Sequence, residues 1–460
     1  MGSSVDSLEK LAERYRQRTS GSLDRHKLAC QYLPGGDTRT TVYQSPHPLY
    51  ADHGKGCRLY DVDGNEYIDF VNNHTSMIHG HAHPKIIGAV QQQLEKGTAW
   101  TAYNEHTIRL AQIICERVPS VEKIRFCNSG TEATMMALRA ARAHTGRSKI
   151  IKTEGGYHGS HDAVEISIIP DPRLLGPIES PASVPEGGAA IPKGVLSDVV
   201  VIPFNEPDLA EPIIRRNASE VAAIIVEPVM GAVGVIPADK EYLQFLRDIC
   251  TELGIVLIFD EVQVFRLGYG GTQGIYGIRP DLTCFGKIIG GGFPVGGFGG
   301  RADIMDIFSP DKPGSLMHGG TFNANPITMA AGVVSLELLT EQEIERINGL
   351  GEALRQGFRK VLAEVGLKGQ VTGLGSMSNL HLTPWPQVRG PRDVIFNNFT
   401  VMSAVNLGLL NSGIMAINRG LFNTSTPMTM AEIDACVSAL GNILSDIKPW
   451  IAEVGPELLA

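Results

Sequence analysis

Cysteine is scarce and never closely paired. Seven occur, at positions 30, 57, 115, 127, 250, 284 and 436, with no Cys-x-x-Cys among them. An odd, scattered set excludes a disulfide framework and fits reduced thiols in a cytosolic protein, most of them in the core. No apolar run approaches the length of a membrane span. The opening Met-Gly-Ser-Ser-Val-Asp has no basic segment followed by an apolar one, so no signal peptide is expected. No basic stretch offsets the formal charge of −9, which argues against nucleic acid as a partner. No internal repeat is visible.

The 460 residues exceed what one hydrophobic core holds, so two or three domains are expected. An apolar content of 43% and a charged content of 19% place the chain among ordinary globular proteins and exclude general disorder. Glycine is abundant, at 52 residues, but apolar residues interleave it, as in Gly-Gly-Gly-Phe293-Pro-Val-Gly-Gly-Phe298-Gly-Gly300. That pattern fits tight turns and close backbone approach rather than a flexible linker.

Residues 1 to about 30 read as a charged amphipathic helix. Residues 57–70 alternate around Asp63-Gly64, the signal of a hairpin. From about residue 75, strand and helix patterns alternate. Val221–Val226 is a buried strand, and the following helix carries Leu243, Leu246, Cys250 and Leu253 on one face and stops at Gly254. Ile255–Phe259 is a continuous apolar run of the kind found in parallel sheets. This βαβ unit implies an α/β fold, with ligands at the carboxyl ends of the strands, where Glu227 and Asp260 stand. Residues 165–197, rich in Pro, Gly and Ser, form a long loop. After about residue 330 the pattern becomes α+β, with a helix from 341 to 365, a strand at 378–382, and a capping box at Thr429-Met-Ala-Glu432. The expected division is 1–75, 76–330 and 331–460, with the first and last parts forming one small domain.

Lys287 stands 27 positions after Asp260. The aspartate follows an apolar strand, and the lysine lies between a second apolar run and Gly290-Gly-Gly292. A pyridoxal phosphate enzyme needs this arrangement: an amine to form a Schiff base with the cofactor aldehyde, and a carboxylate for the pyridinium nitrogen. Ser129-Gly130-Thr131, at a strand-to-helix junction, offers N–H groups, hydroxyls and a helix dipole to a phosphate, although a plain helix cap would look the same. Tyr157, in Gly155-Gly-Tyr157-His158-Gly159, is suited to stacking on a planar ring, with His158 as a hydrogen-bonding neighbour. Thr321, in His318-Gly-Gly-Thr321-Phe-Asn323, is a second candidate phosphate donor just before a helix.

These motifs, with Val-Glu227-Pro and Phe-Asp260-Glu-Val262, resemble the class III aminotransferases, pyridoxal phosphate enzymes of the aspartate-aminotransferase fold type. The resemblance runs from Pro34-Gly-Gly to Thr429. It implies a large cofactor-binding domain with a mostly parallel seven-stranded sheet, plus a small α+β domain from both termini. It implies that Lys287 is the Schiff-base lysine and proton shuttle, and that Asp260 pairs with the pyridine nitrogen. Val262 and Tyr157 would sandwich the ring, and Gly130 and Thr131, with Ser129, would hold the phosphate. His158 and Glu227 belong to the same cofactor site. Thr321 would reach the phosphate of the other subunit of a homodimer.

Within the family the chain looks most like the glutamate-1-semialdehyde aminomutase branch, through Asp61-Val-Asp-Gly-Asn-Glu-Tyr-Ile-Asp69 and Gly80-His-Ala-His-Pro84. That branch also holds β-amino acid aminotransferases. Arg39 resembles their substrate-carboxylate arginine, and Arg419 stands where they have a second one. Aminomutases typically have a glutamate there and a Ser-Phe-Gly-type loop near Trp100-Thr-Ala-Tyr103, and both are missing. The expected activity is transfer of an amino group from an amine or β-amino acid to pyruvate or 2-oxoglutarate. Aminomutase and racemase are the alternatives. Tyr103, Trp100, Tyr43 and His74 are candidates to line the substrate pocket. A cytoplasmic enzyme with no metal, membrane or nucleic-acid partner is expected.

Overall fold

The strands Val221–Val226, Val256–Asp260 and Leu282–Gly286 are each buried along their whole length. Strands with no solvent face need cover on both sides, as in a parallel sheet flanked by helices. The computed structural model, which describes residues 4–460, places them in such a sheet. Its strands are β1 Lys123–Cys127, β2 Lys149–Thr153, β3 Val199–Ile202, β4 Val221–Val226, β5 Val256–Asp260, β6 Leu282–Gly286 and β7 Gly296–Gly300. Their spatial order is β1-β7-β6-β5-β4-β2-β3. Strands β2 to β6 pair in parallel. Only β7 runs antiparallel, to β6 and to β1, so the other six strands point one way. This is the α/β, mostly parallel seven-stranded sheet that the resemblance implies.

The composition of β7, Gly-Gly-Phe-Gly-Gly, follows from crowding. A Cβ on Gly296 would stand 2.0 Å from the Ser129 carbonyl oxygen. Helix α1, Gly130–Thr145, follows β1, and α2, Lys240–Leu253, joins β4 to β5. In α2 the residues Tyr242, Leu243, Leu246, Ile249 and Cys250 are buried, and the helix ends on Gly254 at φ 62°. Residues 165–197 form an irregular excursion with one bridge, Ile166 to Pro185, and the short helix Lys193–Ser197.

The chain divides into two units. The large unit holds Pro84–Ile344 and Arg389–Ile395, and the small unit holds Met1–His83, Glu345–Val388 and Phe396–Ala460. The small unit has a four-stranded sheet, Ala51–Lys55, Arg58–Asp61, Glu66–Asp69 and Ile414–Met415, and a three-stranded one, Gln370–Leu374, Met377–His381 and Leu421–Asn423. Its core gathers Phe70, Phe358 and Phe422, with the Phe358 and Phe422 rings edge-on at 4.9 Å. The helix Met430–Val454 opens on the Thr429–Glu432 capping box. The single helix expected through residue 30 is two, Ser4–Arg18 and Ser20–Ala29. Thr19 breaks it: its backbone leaves helical geometry (φ −126°, ψ 38°), and its hydroxyl donates to the Tyr15 carbonyl at 2.6 Å. Residues 1–3 lie outside the described part.

One segment of the small unit runs against backbone preference. Asn72, Asn73, His74 and Thr75 take φ values of 50°, 46°, 53° and 74°. They form one turn of left-handed helix, with Thr75 N–H donating to Val71 O at 3.2 Å and Met77 N–H to Asn72 O at 2.9 Å. None is glycine, and each such residue costs roughly 1–2 kcal/mol. Among the described residues no helix is long and apolar enough to cross a membrane.

Candidate active site

The six co-directional strands deliver their carboxyl ends to one edge of the sheet, where ligands of open α/β sheets bind. Strand β5 ends at Asp260, which is 4% exposed. Its Oδ1 accepts the Val262 N–H at 3.0 Å, and its Oδ2 lies 2.9 Å from Nδ1 of the buried His158. A carboxylate only accepts, so this pairing assigns the imidazole proton to Nδ1. Burial pushes the His158 pKa down, against the pull of Asp260, so the ring stays neutral and its hydrogen bond fixes the carboxylate.

Lys287 follows β6 directly, in a left-handed backbone conformation at φ 50°. The residue as a whole keeps some open surface, yet its amine is surrounded by protein atoms. Burial lowers its pKa, opposed by the charges of Asp260 and Glu227. Glu227 follows β4. Its Oε2 accepts the Tyr157 N–H at 2.8 Å, and its Oε1 accepts the Gly231 N–H at 3.1 Å. Burial first, then the nearby Asp260, pushes its pKa up to about 8. Glu227 therefore shapes the turn that carries Tyr157.

At the end of β1 the Ser129 hydroxyl caps α1 by accepting the Glu132 N–H at 3.1 Å. The next two N–H groups, of Gly130 and Thr131, have no acceptor within the helix and sit at its positive end. The Thr131 hydroxyl accepts the Ser160 N–H at 3.1 Å, which ties the helix start to the Tyr157 turn. Val262 fills the space beside glycine: a Cβ on Gly130 would meet its Cγ1 at 2.9 Å, and one on Gly286 at 3.0 Å. Thr321 is exposed. It does not cap the following helix, because Asn325 does, accepting the Ile327 N–H at 3.0 Å and the Thr328 N–H at 3.3 Å. The loop of Thr321 is held by Asn323, whose Oδ1 accepts from Asn128 Nδ2 at 3.0 Å.

Two residues without a local sequence signal complete this edge. Glu154, 2% exposed, immediately precedes the Gly155-Gly156-Tyr157 turn. It binds Arg392 through both oxygens, at 2.7 Å to Nε and 3.0 Å to Nη2. Arg392 also donates to the Gly176 carbonyl at 3.0 Å. Pro391 lies over Gly155, whose φ is 79° and whose Cβ would come within 2.5 Å of the proline ring. Below them Lys152, fully buried, donates to the Ile166 carbonyl, and burial drops its pKa to about 7.

The candidate substrate residues divide between the units. Tyr103 is fully exposed at 102% in the large unit, and Trp100 is half-exposed there. Arg39 and Arg419 belong to the small unit. Arg39 lines a cavity of about 440 Å³ together with Tyr43, Asn73, His74 and Ile417. The Arg419 carbonyl accepts from Asn379 Nδ2 at 3.2 Å, but its guanidinium has no hydrogen-bond or ion-pair partner among the described residues. Crowding by protein lowers its pKa even though part of its surface meets solvent.

A buried lysine, a carboxylate held by a neutral histidine and an anion-ready helix start, all at the strand ends of one sheet, define an enzyme that works through a phosphorylated aldehyde cofactor. Comparison with known proteins gives the family. The model of the class III aminotransferases matches residues 41–444. A glutamate-1-semialdehyde 2,1-aminomutase of Methanothermobacter thermautotrophicus is 41% identical over 92% of this chain and 98% of its own. A β-phenylalanine transaminase of Variovorax paradoxus is 39% identical over 95% of this chain and 96% of its own. The crystal structure of an omega-transaminase from Sphaerobacter thermophilus superposes with a TM-score of 0.91 at 45% identity, covering 94% of this chain and 99% of that one. The chain belongs to the class III aminotransferases and is a pyridoxal phosphate-dependent aminotransferase. Its residues fit that cofactor: an amine of lowered pKa, a fixed carboxylate, open helix N–H groups and glycines that leave room beside Val262.

Proposed function

We propose that this aminotransferase takes the amino group of a β-amino acid or related amine and passes it to a keto acid, pyruvate or 2-oxoglutarate. Bound pyridoxal phosphate supplies an aldehyde that links to amines and a ring that draws electrons from the linked carbon. Lys287 would tether the cofactor through its amine and would hold and move a proton at Nζ. Its lowered pKa makes Nζ a better base near neutral pH than a solvated lysine. Asp260 keeps negative charge beside the pyridine nitrogen, and His158 holds it there. Tyr157 and Val262 enclose the ring, with Glu227 fixing the tyrosine backbone. Gly130 and Thr131 bind the phosphate through their N–H groups, with Ser129 closing the turn.

The observation that carries the reading is the burial of the Lys287 amine beside two acidic side chains, Asp260 and Glu227. The β-amino acid donor is supported by Arg39 on its cavity and by the unpaired guanidinium of Arg419, which suits a second carboxylate. The 39% identical transaminase supports the same donor class. The enzyme acts as a cytoplasmic homodimer in which Thr321 serves the phosphate of the other subunit. Its exposed neighbours Met317 and Phe322, at 84% and 58%, support an apolar face covered by a second copy.

The 41% identical aminomutase supports a second reading, isomerisation of glutamate-1-semialdehyde. A donor panel of β-phenylalanine, 1-phenylethylamine, alanine and glutamate-1-semialdehyde, followed at the cofactor absorbance band, separates the two. Conversion by β-phenylalanine and recovery on adding a keto acid is expected. Turnover of glutamate-1-semialdehyde without a keto acid, and no response to β-phenylalanine, would replace the transaminase by the aminomutase.

A further inference from the structure

Four consecutive left-handed residues without a glycine need an explanation, because strain of this kind persists only where neighbours over-determine it. Here they do. Asp69 Oδ1 accepts the N–H groups of Val71 and Asn72, at 2.8 Å and 2.9 Å. Asn72 is buried, and its Nδ2 donates to the Asn423 carbonyl at 2.7 Å. Asn423 answers with Nδ2 to the Val71 carbonyl at 3.2 Å. Asn72 and Thr75 thus face inward, and Asn73 and His74 face the cavity that Arg39 lines.

Both outward residues meet the arginine. Arg39 Nη1 donates to Asn73 Oδ1 at 2.9 Å, and its Nη2 lies 3.4 Å from His74 Nδ1. Arg39 comes from an exposed loop, where a long side chain would otherwise sample many rotamers. A guanidinium carries five N–H donors. Two are engaged with the turn, which leaves enough for a two-point grip on a carboxylate.

We propose that the left-handed turn is a holder for Arg39, and that Asn73 and His74 are positioning residues that set the preference of the enzyme for amine donors bearing a carboxylate. This rests on the reading of Arg39 as the substrate-carboxylate arginine. The conformation matters because the turn brings two adjacent side chains to one guanidinium while the flanking residues Asn72 and Thr75 anchor it.

The test compares β-phenylalanine with 1-phenylethylamine, which lacks the carboxylate, as donors to the holoenzyme. Arg39→Ala should raise KM for β-phenylalanine and spare 1-phenylethylamine. Asn73→Ala should raise KM for β-phenylalanine roughly tenfold, as expected for losing a hydrogen bond to a charged group, with kcat within about twofold and 1-phenylethylamine unaffected. Asn73→Gly should show the same loss while Tm holds or rises, because glycine accepts the left-handed backbone without strain. A purely structural role would instead lower Tm and weaken both donors together. An unchanged KM in Asn73→Ala, with Arg39→Ala still impaired, overturns the positioning role. An Arg39→Ala enzyme that treats both donors as the wild type does overturns the underlying reading of Arg39 and the holder with it.

Discussion

At the strand ends of the large unit Asp260 is buried and held by the Val262 N–H of the following turn and by a buried histidine, whereas in the small unit Arg39 is exposed and held by a strained turn. The first arrangement uses burial: desolvation lowers the Lys287 pKa and raises that of Glu227. The second spends conformation, keeping its charge in water and storing precision in φ. In the proposed reading, chemistry that all substrates share is built into the sheet, and the group that reads the substrate carboxylate is built on connecting chain. A loop residue can change without disturbing the sheet.

The sharpest test of this contrast is Lys287→Ala. Turnover should fall by at least about 10³-fold, as follows for a residue proposed to be both tether and base, and the protein should lose the visible band of the linked cofactor. A normal spectrum with normal activity would refute the assignment. Next comes the buried ion pair behind the Tyr157 turn. Arg392→Gln strands Glu154 in the interior and should cost about 3–5 kcal/mol in urea unfolding, and adding Glu154→Gln should recover most of it. Full stability in the single variant would show that the pair is dispensable.

Weaker effects belong to the small unit. Arg419→Ala should impair the keto-acid half-reaction roughly tenfold in KM for 2-oxoglutarate, the loss of one charge-assisted contact. An unaltered KM would remove that role. The smallest effect is on pH. The folded pKa of Glu227 is raised to about 8, so its contribution to stability is complete below the unfolded value near 4.5 and is lost as pH rises through 8. Tm of the apoenzyme should therefore drop between pH 5 and pH 8.5, and the drop should be shallower in Glu227→Gln. Equal slopes would mean that Glu227 ionises normally.

Elements with a local cause were legible in the amino-acid order. Continuous apolar runs marked β4 and β5, Gly254 marked the end of α2, and Thr429 with Glu432 marked the start of the last helix. The places of Glu227, Asp260 and Lys287 just at or after strand ends were legible because strand ends and glycines leave short signatures. The Glu154–Arg392 pair was not: its members stand 238 residues apart, and Arg392 sits in a Pro/Gly stretch without periodicity. The left-handed turn was invisible for the opposite reason, since Asn-Asn-His-Thr has no glycine to announce positive φ. Thr19, a single residue in a charged helical pattern, hid the break between the first two helices because the charge pattern continues across it.

The segment Arg389–Ile395 belongs to the large unit, although the chain on both sides of it belongs to the small one. The chain therefore changes unit four times, after residues 83, 344, 388 and 395. Synthesis runs from the N-terminus, and domains begin to fold as they emerge. When residue 344 has left the ribosome, every cofactor motif is already present, yet Glu154 has no guanidinium and Gly155 no proline over it. The turn bearing Tyr157 is closed only when Pro391 and Arg392 arrive. A nascent chain that ends before residue 389 thus carries every motif of the family resemblance but lacks the side chains that Glu154 and Gly155 meet in the full chain.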